Sequence, residues 1–438
     1  MKKIATLLSA SALLLALDAH ANKEPTNIIY LIGDGMGVAY TSAYRYYHDD
    51  PNTPNIDRTV FDDMLVGMSS SYPHDEHFNV TDSAAAATAL ASGVKTFNGA
   101  IGMDAQREPV YSLLDVAKRK HYLTGIAVTS HVVHATPAAF VAHVGSRASY
   151  NSIADQYLDL RIDGKPKLDI LFGAGKEYFI RKDRNLIAEF KKLGYSYEDT
   201  WDDLNTIKKY PAIGLFEATE MPSALDGKEP LRLAKMTEKA LSLLEKKPFF
   251  LMLEASQIDW CGHVNDIACA MAEMHDMAET MKTIKQFIDQ HPNTIFVATA
   301  DHSTGGLSLG ANNQYNWFPQ VVKRIKATSR RIPEELLENE DWKAEWNTLT
   351  GLSLTERGSK TLAAALDVAR DNRSPEAIGN IQNLVLEYIN RYSSTGWTTK
   401  GHTGEDVQIF SYGKSSGNFA GALDNTDIHE RLLSYLQK

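Results

Sequence analysis

The chain is predicted to fold as an α/β three-layer sandwich, with a largely parallel central sheet and a helical insertion late in the sequence. Three observations predict it. Short apolar runs recur and end in glycine or in polar residues, helical patterns fall between them, and one stretch, 308–400, differs in composition from the rest. Runs that are apolar on both faces suit buried parallel strands, and the intervening helices supply the crossovers that such a sheet needs.

The elements follow in chain order. Lys2 and Lys3, an apolar run over 4–17 and Ala19-His20-Ala21 have the three parts of a secretory signal peptide, so residues 1–21 are expected to be removed. That run is too short to span a bilayer, and no later stretch is long enough. The mature protein, 22–438, is therefore expected to be soluble and periplasmic or secreted, with no membrane anchor. Strands are expected at 27–32, 125–129, 168–172, 249–253 and 294–299, and helices at 111–120, 185–193 and 231–245. The 308–400 stretch is charged, carries Trp317, Trp342, Trp346 and Trp397, and includes a helix opening with Ser374 as N-cap and Pro375 in the first helical position. It reads as an inserted lid or interface region, because four tryptophans need something to pack against.

The formal net charge is −10, and loss of Lys2, Lys3 and Asp18 with the leader takes it to −11. Such acidity argues against nucleic acid as a partner. An anionic substrate would need a strong local positive centre, which bound metal ions could provide. Cys261 and Cys269 are the only cysteines. Read as eight residues apart on one helix they would be ~12 Å apart, too far to bridge, so two free buried thiols are expected.

Two glycine-rich segments fail as nucleotide loops. Gly33-Asp34-Gly35-Met36-Gly37 lacks the G-x-G-x-x-G spacing, and Gly173-Ala174-Gly175-Lys176 lacks the Walker spacing and the Ser or Thr after its lysine. An aspartate between glycines at a strand end is better placed to bridge cations. In Thr81-Asp82-Ser83-Ala84 a hydroxyl stands beside a carboxylate at the start of an alanine-rich helix. Unpaired N–H groups and the positive end of the helix dipole would favour an anion held over Ser83 while its hydroxyl attacks. Asp259 and His263 are four apart and can bind one ion from a single turn; Asp301-His302 and His402-Thr403-Gly404 add ligands of zinc type. Glu254, at a strand end, is a hard carboxylate suited to magnesium.

Together these pieces resemble the alkaline phosphatase family. The resemblance runs in the family's order over nearly the whole mature chain: Asp34, Asp82-Ser83-Ala84, His134-Ala135-Thr136-Pro137, the 143–147 segment, Glu254 to His263, Asp301-His302 and His402-Thr403-Gly404. It implies hydrolysis of phosphate monoesters through a phosphoserine at Ser83, with Arg147 as the phosphate clamp. It implies one Zn2+ on Asp259, His263 and His402, a second on Asp34, Asp301 and His302, and one Mg2+ on Asp34, Thr136 and Glu254. It places the helical insertion between the last metal-binding motifs, and implies small phosphomonoester substrates and a homodimer. His134 and Trp260 stand where some bacterial members have an acidic and a basic residue, so they are candidates to act from behind the magnesium ligands; Trp260 can neither ligate nor carry charge. A sulfatase is excluded, since no Cys/Ser-x-Pro-x-Arg motif occurs. The alternatives are a phosphodiesterase of the same superfamily and a non-catalytic periplasmic zinc-binding protein, which would have no need of Ser83 or Arg147.

Overall fold

A computed structural model describes residues 27–437, so the predicted leader lies outside the described residues. Ten strands form one sheet: β1 (Asn27–Gly33), β2 (Leu65–Ser70), β3 (Leu123–His131), β4 (Ile170–Ala174), β5 (Ser196–Glu198), β6 (Ala212–Leu215), β7 (Phe249–Ala255), β8 (Thr294–Ala300), β9 (Val407–Tyr412) and β10 (Gly421–Asp424). Their order is β10-β2-β9-β8-β1-β7-β3-β4-β6-β5. Every neighbouring pair is parallel except those of β9, which runs against both β8 and β2. The central strands β1, β3, β7 and β8 are buried along their whole length, which is why their sequences are apolar without alternation.

The helices that matter below are α1 (Val38–His48), α2 (Ser83–Ser92), α3 (Leu113–Arg119), α4 (Tyr150–Asp159), α5 (Leu186–Lys192), α6 (Arg232–Leu244), α7 (Gln257–His263), α8 (Ile267–Gln290), α9 (Arg331–Glu338), α10 (Trp342–Thr350), α11 (Glu356–Asp371), α12 (Pro375–Ser393) and α13 (Asn425–Gln437). Successive side chains of a strand point to opposite faces, and β1 shows both layers. Ile28, Tyr30 and Ile32 share a core with Leu90 of α2, Leu113 of α3 and Leu432 of α13. Ile29 and Leu31 share the other with Leu233 of α6 and Met274 of α8. The inserted helices α9 to α12 join that second core through Leu336, Trp346, Leu362 and Ile381. Ser374 caps α12 by accepting from the Ala377 N–H, with Pro375 following. The indole N–H of Trp317, Trp346 and Trp397 each finds a partner, on Thr395, Leu352 and Asn390.

The expectation of free cysteines is wrong. Cys261 and Cys269 form a disulfide with their Cα atoms 5.5 Å apart. They do not share a helix: α7 ends at His263, α8 begins at Ile267, and between them Asn265 takes a left-handed conformation (φ +60°) that reverses the chain. The rise-per-residue argument therefore does not apply to this pair.

Candidate active site

Four adjacent strands, β8, β1, β7 and β3, end side by side, and the polar residues gather beyond their carboxyl ends, as expected of a parallel sheet. Asp34 follows β1, Glu254 is the penultimate residue of β7, Asp301 and His302 follow β8, and His134 and Thr136 lie just past β3. Gly35 makes room for this. Its φ is +74°, and a Cβ there would lie 2.6 Å from the Cα of Asp259, so no other residue allows α7 to come so close to the end of β1. His402 is delivered by a two-residue ribbon, Ser303–Thr304 paired with His402–Thr403, which sets it beside His302.

Three groups of ligand-type atoms result. In the first, Asp259 Oδ2 lies 3.2 Å from His263 Nε2, and His263 Nε2 lies 3.2 Å from His402 Nε2. Ligands at 2.0–2.1 Å from a tetrahedral zinc are about 3.3 Å apart, so the spacing fits one such ion. Both imidazoles are fixed from behind, Nδ1 of His263 against the carbonyl of Lys400 (2.6 Å) and Nδ1 of His402 against that of Thr81 (2.9 Å). Each Nδ1 then carries the proton and each Nε2 presents its lone pair inward. The second group is Asp34, Asp259 and His302, with His302 Nε2 3.6 Å from Asp34 Oδ1; the expected ligand Asp301 lies outside the group but has Oδ2 3.2 Å from the same His302 nitrogen. The third joins Asp34, Glu254 and His134, whose Nδ1 is 3.8 Å from Asp34 Oδ2; Thr136 adjoins Glu254.

These atoms are short of partners. Both oxygens of Asp34, Oδ2 of Asp301, Oε1 of Glu254, Oγ1 of Thr136 and Nδ1 of His134 are buried without a well-formed hydrogen bond among the described residues. Burial, reinforced by the charges of Asp301, Asp259 and Glu254, drives the Asp34 carboxyl well above its usual range. Burial likewise pushes Glu254 up to about 7 and Asp301 up to about 8. Asp259 goes the other way: against burial, its hydrogen bond with His263 and the nearby His302 and His402 hold it below the usual range. Such a set of buried carboxylates stays fully ionised at neutral pH only beside cations, and otherwise takes up protons. The donor chemistry fits zinc in the first two groups; in the third the oxygens of Asp34, Glu254 and Thr136 fit a hard divalent ion, whereas the His134 nitrogen does not.

Ser83 is the first residue of α2 and 1% exposed, with Oγ 3.1 Å from His302 Nε2. Asp82, not Ser83, caps the helix, accepting from the Ala85 N–H through Oδ1. Its Oδ2 accepts from the Gly99 N–H and from Nη1 of Arg147 at 3.1 Å. Nη2 of Arg147 lies 3.2 Å from His134 Nε2, so the guanidinium plane is held at two points beside Ser83. Trp260 meets the His134 ring edge-on, centroids 6.0 Å apart. All twelve residues singled out in the sequence thus fall in one region. Three contributors were not: Thr304, which donates to Asp259; His131, whose ring packs 5.4 Å from that of His134; and Asp82 as the anchor of Arg147. The spacing of His131 and His134 was the available signal for the second.

The alkaline phosphatase family model matches residues 25–438. Alkaline phosphatase 3 of Bacillus subtilis (strain 168) is 46% identical over 417 residues, covering 94% of this chain and 89% of the relative. The alkaline phosphatase of Escherichia coli (strain K12) is 30% identical, with 94% and 86% covered. The crystal structure of a cold-active alkaline phosphatase from a psychrophile, Shewanella sp., is similar with a TM-score of 0.88 at 41% identity, covering 94% of this chain and 100% of that one. A TAB5 alkaline phosphatase carrying a histidine-to-glutamate mutation, with Mg bound in the M3 site, is similar with a TM-score of 0.70 at 26% identity, covering 94% and 98%.

Proposed function

The chain belongs to the alkaline phosphatase family and is a phosphoric monoester hydrolase, and from that premise we propose that Ser83 is its nucleophile, working at a site for two Zn2+ and one Mg2+. The single observation that carries this reading is the placing of Ser83 Oγ 3.1 Å from His302 Nε2, within the second ligand group and beside the anchored Arg147 fork. Asp259, His263 and His402 would hold one zinc; Asp34, Asp301 and His302 the other; Asp34, Thr136 and Glu254 the magnesium. His134 supports the third position, where it adjoins Asp34 and Glu254. When bound, these ions supply Lewis-acid charge that activates the attacking oxygen and neutralises the departing one.

The residues of the chain do the rest. Arg147 binds two phosphoryl oxygens with its planar fork, oriented by Asp82. The N-terminus of α2 adds unpaired N–H groups that favour the dianion. Ser83 Oγ, having lost its proton, forms a bond to phosphorus while the ester oxygen leaves with its electron pair and takes up a proton as the alcohol. Water then attacks the phosphoserine, releases inorganic phosphate and returns the proton to Ser83. The same reading takes the enzyme as an exported homodimer acting on small phosphomonoesters. No helix among the described residues is long and apolar enough to cross a membrane.

The test is an acid quench during turnover of a labelled phosphomonoester, with the label located by mass spectrometry, alongside metal analysis of the purified protein. Label on Ser83, its absence in Ser83→Ala, and two zinc and one magnesium per chain are expected, with turnover abolished by chelation. Label on any other residue refutes the assignment, and full activity after exhaustive chelation refutes the metal dependence.

A further inference from the structure

The inserted helices reach the first ligand group through one chain of polar contacts. Asn265 sits in the turn between α7, which carries Asp259 and His263, and α8. With its amide NH2 facing the two carbonyls that surround it, it donates to Gly262 and to Thr399, each at 2.9 Å. Its own carbonyl accepts from Nδ2 of Asn390, on α12 of the insertion, at 3.0 Å. Oδ1 of Asn390 in turn accepts from the Trp397 indole at 3.1 Å. Both polar ends of Asn390 are therefore engaged by the two segments that lead to the ligands, one running back to His263 and the other forward to His402. Between Thr399 and His402 lies Lys400, whose carbonyl fixes Nδ1 of His263. The next residue of the turn is tied to the insertion as well: the Asp266 carboxylate accepts from the Ser329 N–H at 2.7 Å.

We propose that Asn265 and Asn390 are positioning residues, a strut by which the insertion holds His263 and His402 at the spacing one zinc ion requires. Neither touches a ligand side chain. They act through the backbone at Gly262 and Thr399, one and three residues from the two histidines. The inference rests on the zinc reading above and adds a role for α12 that the ligands alone do not need. Groups that orient metal ligands from behind typically change affinity by 10–100-fold when removed.

Two variants of the holoenzyme test it. Asn390→Asp keeps an acceptor for Trp397 but sets an oxygen against the Asn265 carbonyl in place of a donor. Asn265→Gly keeps the left-handed turn and loses the amide. The readouts are the rate at which zinc is released to excess chelator and the visible absorption of the cobalt-substituted protein, which reports ligand geometry. His429→Gln is the control for general loosening: His429 lies on α13, with Nδ1 on the Ala91 carbonyl at the end of α2 opposite Ser83. Roughly tenfold faster release of one zinc per chain and an altered cobalt spectrum are expected in both variants, with the control like the parent. Parent-like release and spectrum in the folded variants overturn the strut, and so does equal acceleration in His429→Gln. If Asn390→Asp does not fold, Asn265→Gly decides. A parent that binds no zinc or hydrolyses no phosphomonoester defeats the underlying reading instead, so the two failures are distinct.

Discussion

Replacing both Cys261 and Cys269 with alanine should lower stability by an amount that the loop itself sets. The bridge closes a short loop, with a sequence separation of 8. The loop-closure entropy it removes from the unfolded chain is worth about 2.5 kcal/mol at 25 °C. Alanine is the right replacement because the two side chains are 1% and 8% exposed, and a serine hydroxyl there would add a desolvation cost of its own. At about 2.1 cal/mol/K of unfolding entropy per residue, a chain of this size should lose about 3 °C in Tm. The shift is small because the entropy is spread over a large cooperative unit, so the denaturant midpoint is the better assay. The parent and the double variant are compared in urea with metals present, and thiols are titrated in the denatured, unreduced parent. Two titratable thiols per parent chain would refute the bridge. An intact bridge with no change in midpoint would refute the entropic argument.

Two further outcomes follow from single side chains. Trp260→Lys puts an ammonium beside His134 and the Arg147 fork, so inorganic phosphate should inhibit more strongly, by about tenfold or more for a partly screened pair; an unchanged inhibition constant in a folded, zinc-loaded variant leaves Trp260 as a packing residue only. His429, buried against α2 with Nδ1 on the Ala91 carbonyl, is pushed by burial down to about 4. Its folded pKa is depressed, so the unfolded chain binds the proton more readily; the contribution is present above pH 6.5 and is lost as pH falls from 6.5 towards 4, by up to about 3 kcal/mol. Urea midpoints at pH 7.5 and 5 should therefore separate less in His429→Gln than in the parent, and parallel shifts would dismiss His429 as a source of the acid sensitivity.

The legible part of the fold was the part buried on both sides. β1, β3, β7 and β8 carry continuous apolar runs because helices cover both faces. The strands missed were β2, β5, β6, β9 and β10. β5 has three half-buried residues, β2 is mostly half-buried or exposed, and β9 interrupts its apolar run with Gln408, tolerated because Thr41 Oγ1 donates to its Oε1. The disulfide was hidden for a local reason. Placing the two cysteines on one helix misses the break at Asn265-Asp266, where Asn265 is left-handed and Asp266 caps α8. Ser83 was visible because it opens α2, and Asp34, Asp301 and His302 because they stand just past the ends of β1 and β8, where chemistry rather than packing decides the side chain. The strut was not visible, since Asn265 and Asn390 are far apart in sequence and each alone looks like an ordinary surface amide.

The two short ribbons have a consequence for how the protein comes into being. Ser308–Leu309 pairs with Thr395–Gly396, and just beyond it Ser303–Thr304 pairs with His402–Thr403. The insertion leaves and rejoins the sheet layer through this double clasp, so His402 can reach its neighbours only after every inserted helix has been made and docked. A chain growing from its amino terminus possesses Asp34 early and Asp259 and His263 midway, yet the first ligand group stays open until nearly the end. A partly made chain thus lacks this first group, whereas every residue of the other two precedes the insertion. The first ligand group is therefore the last part of the site that the chain can assemble.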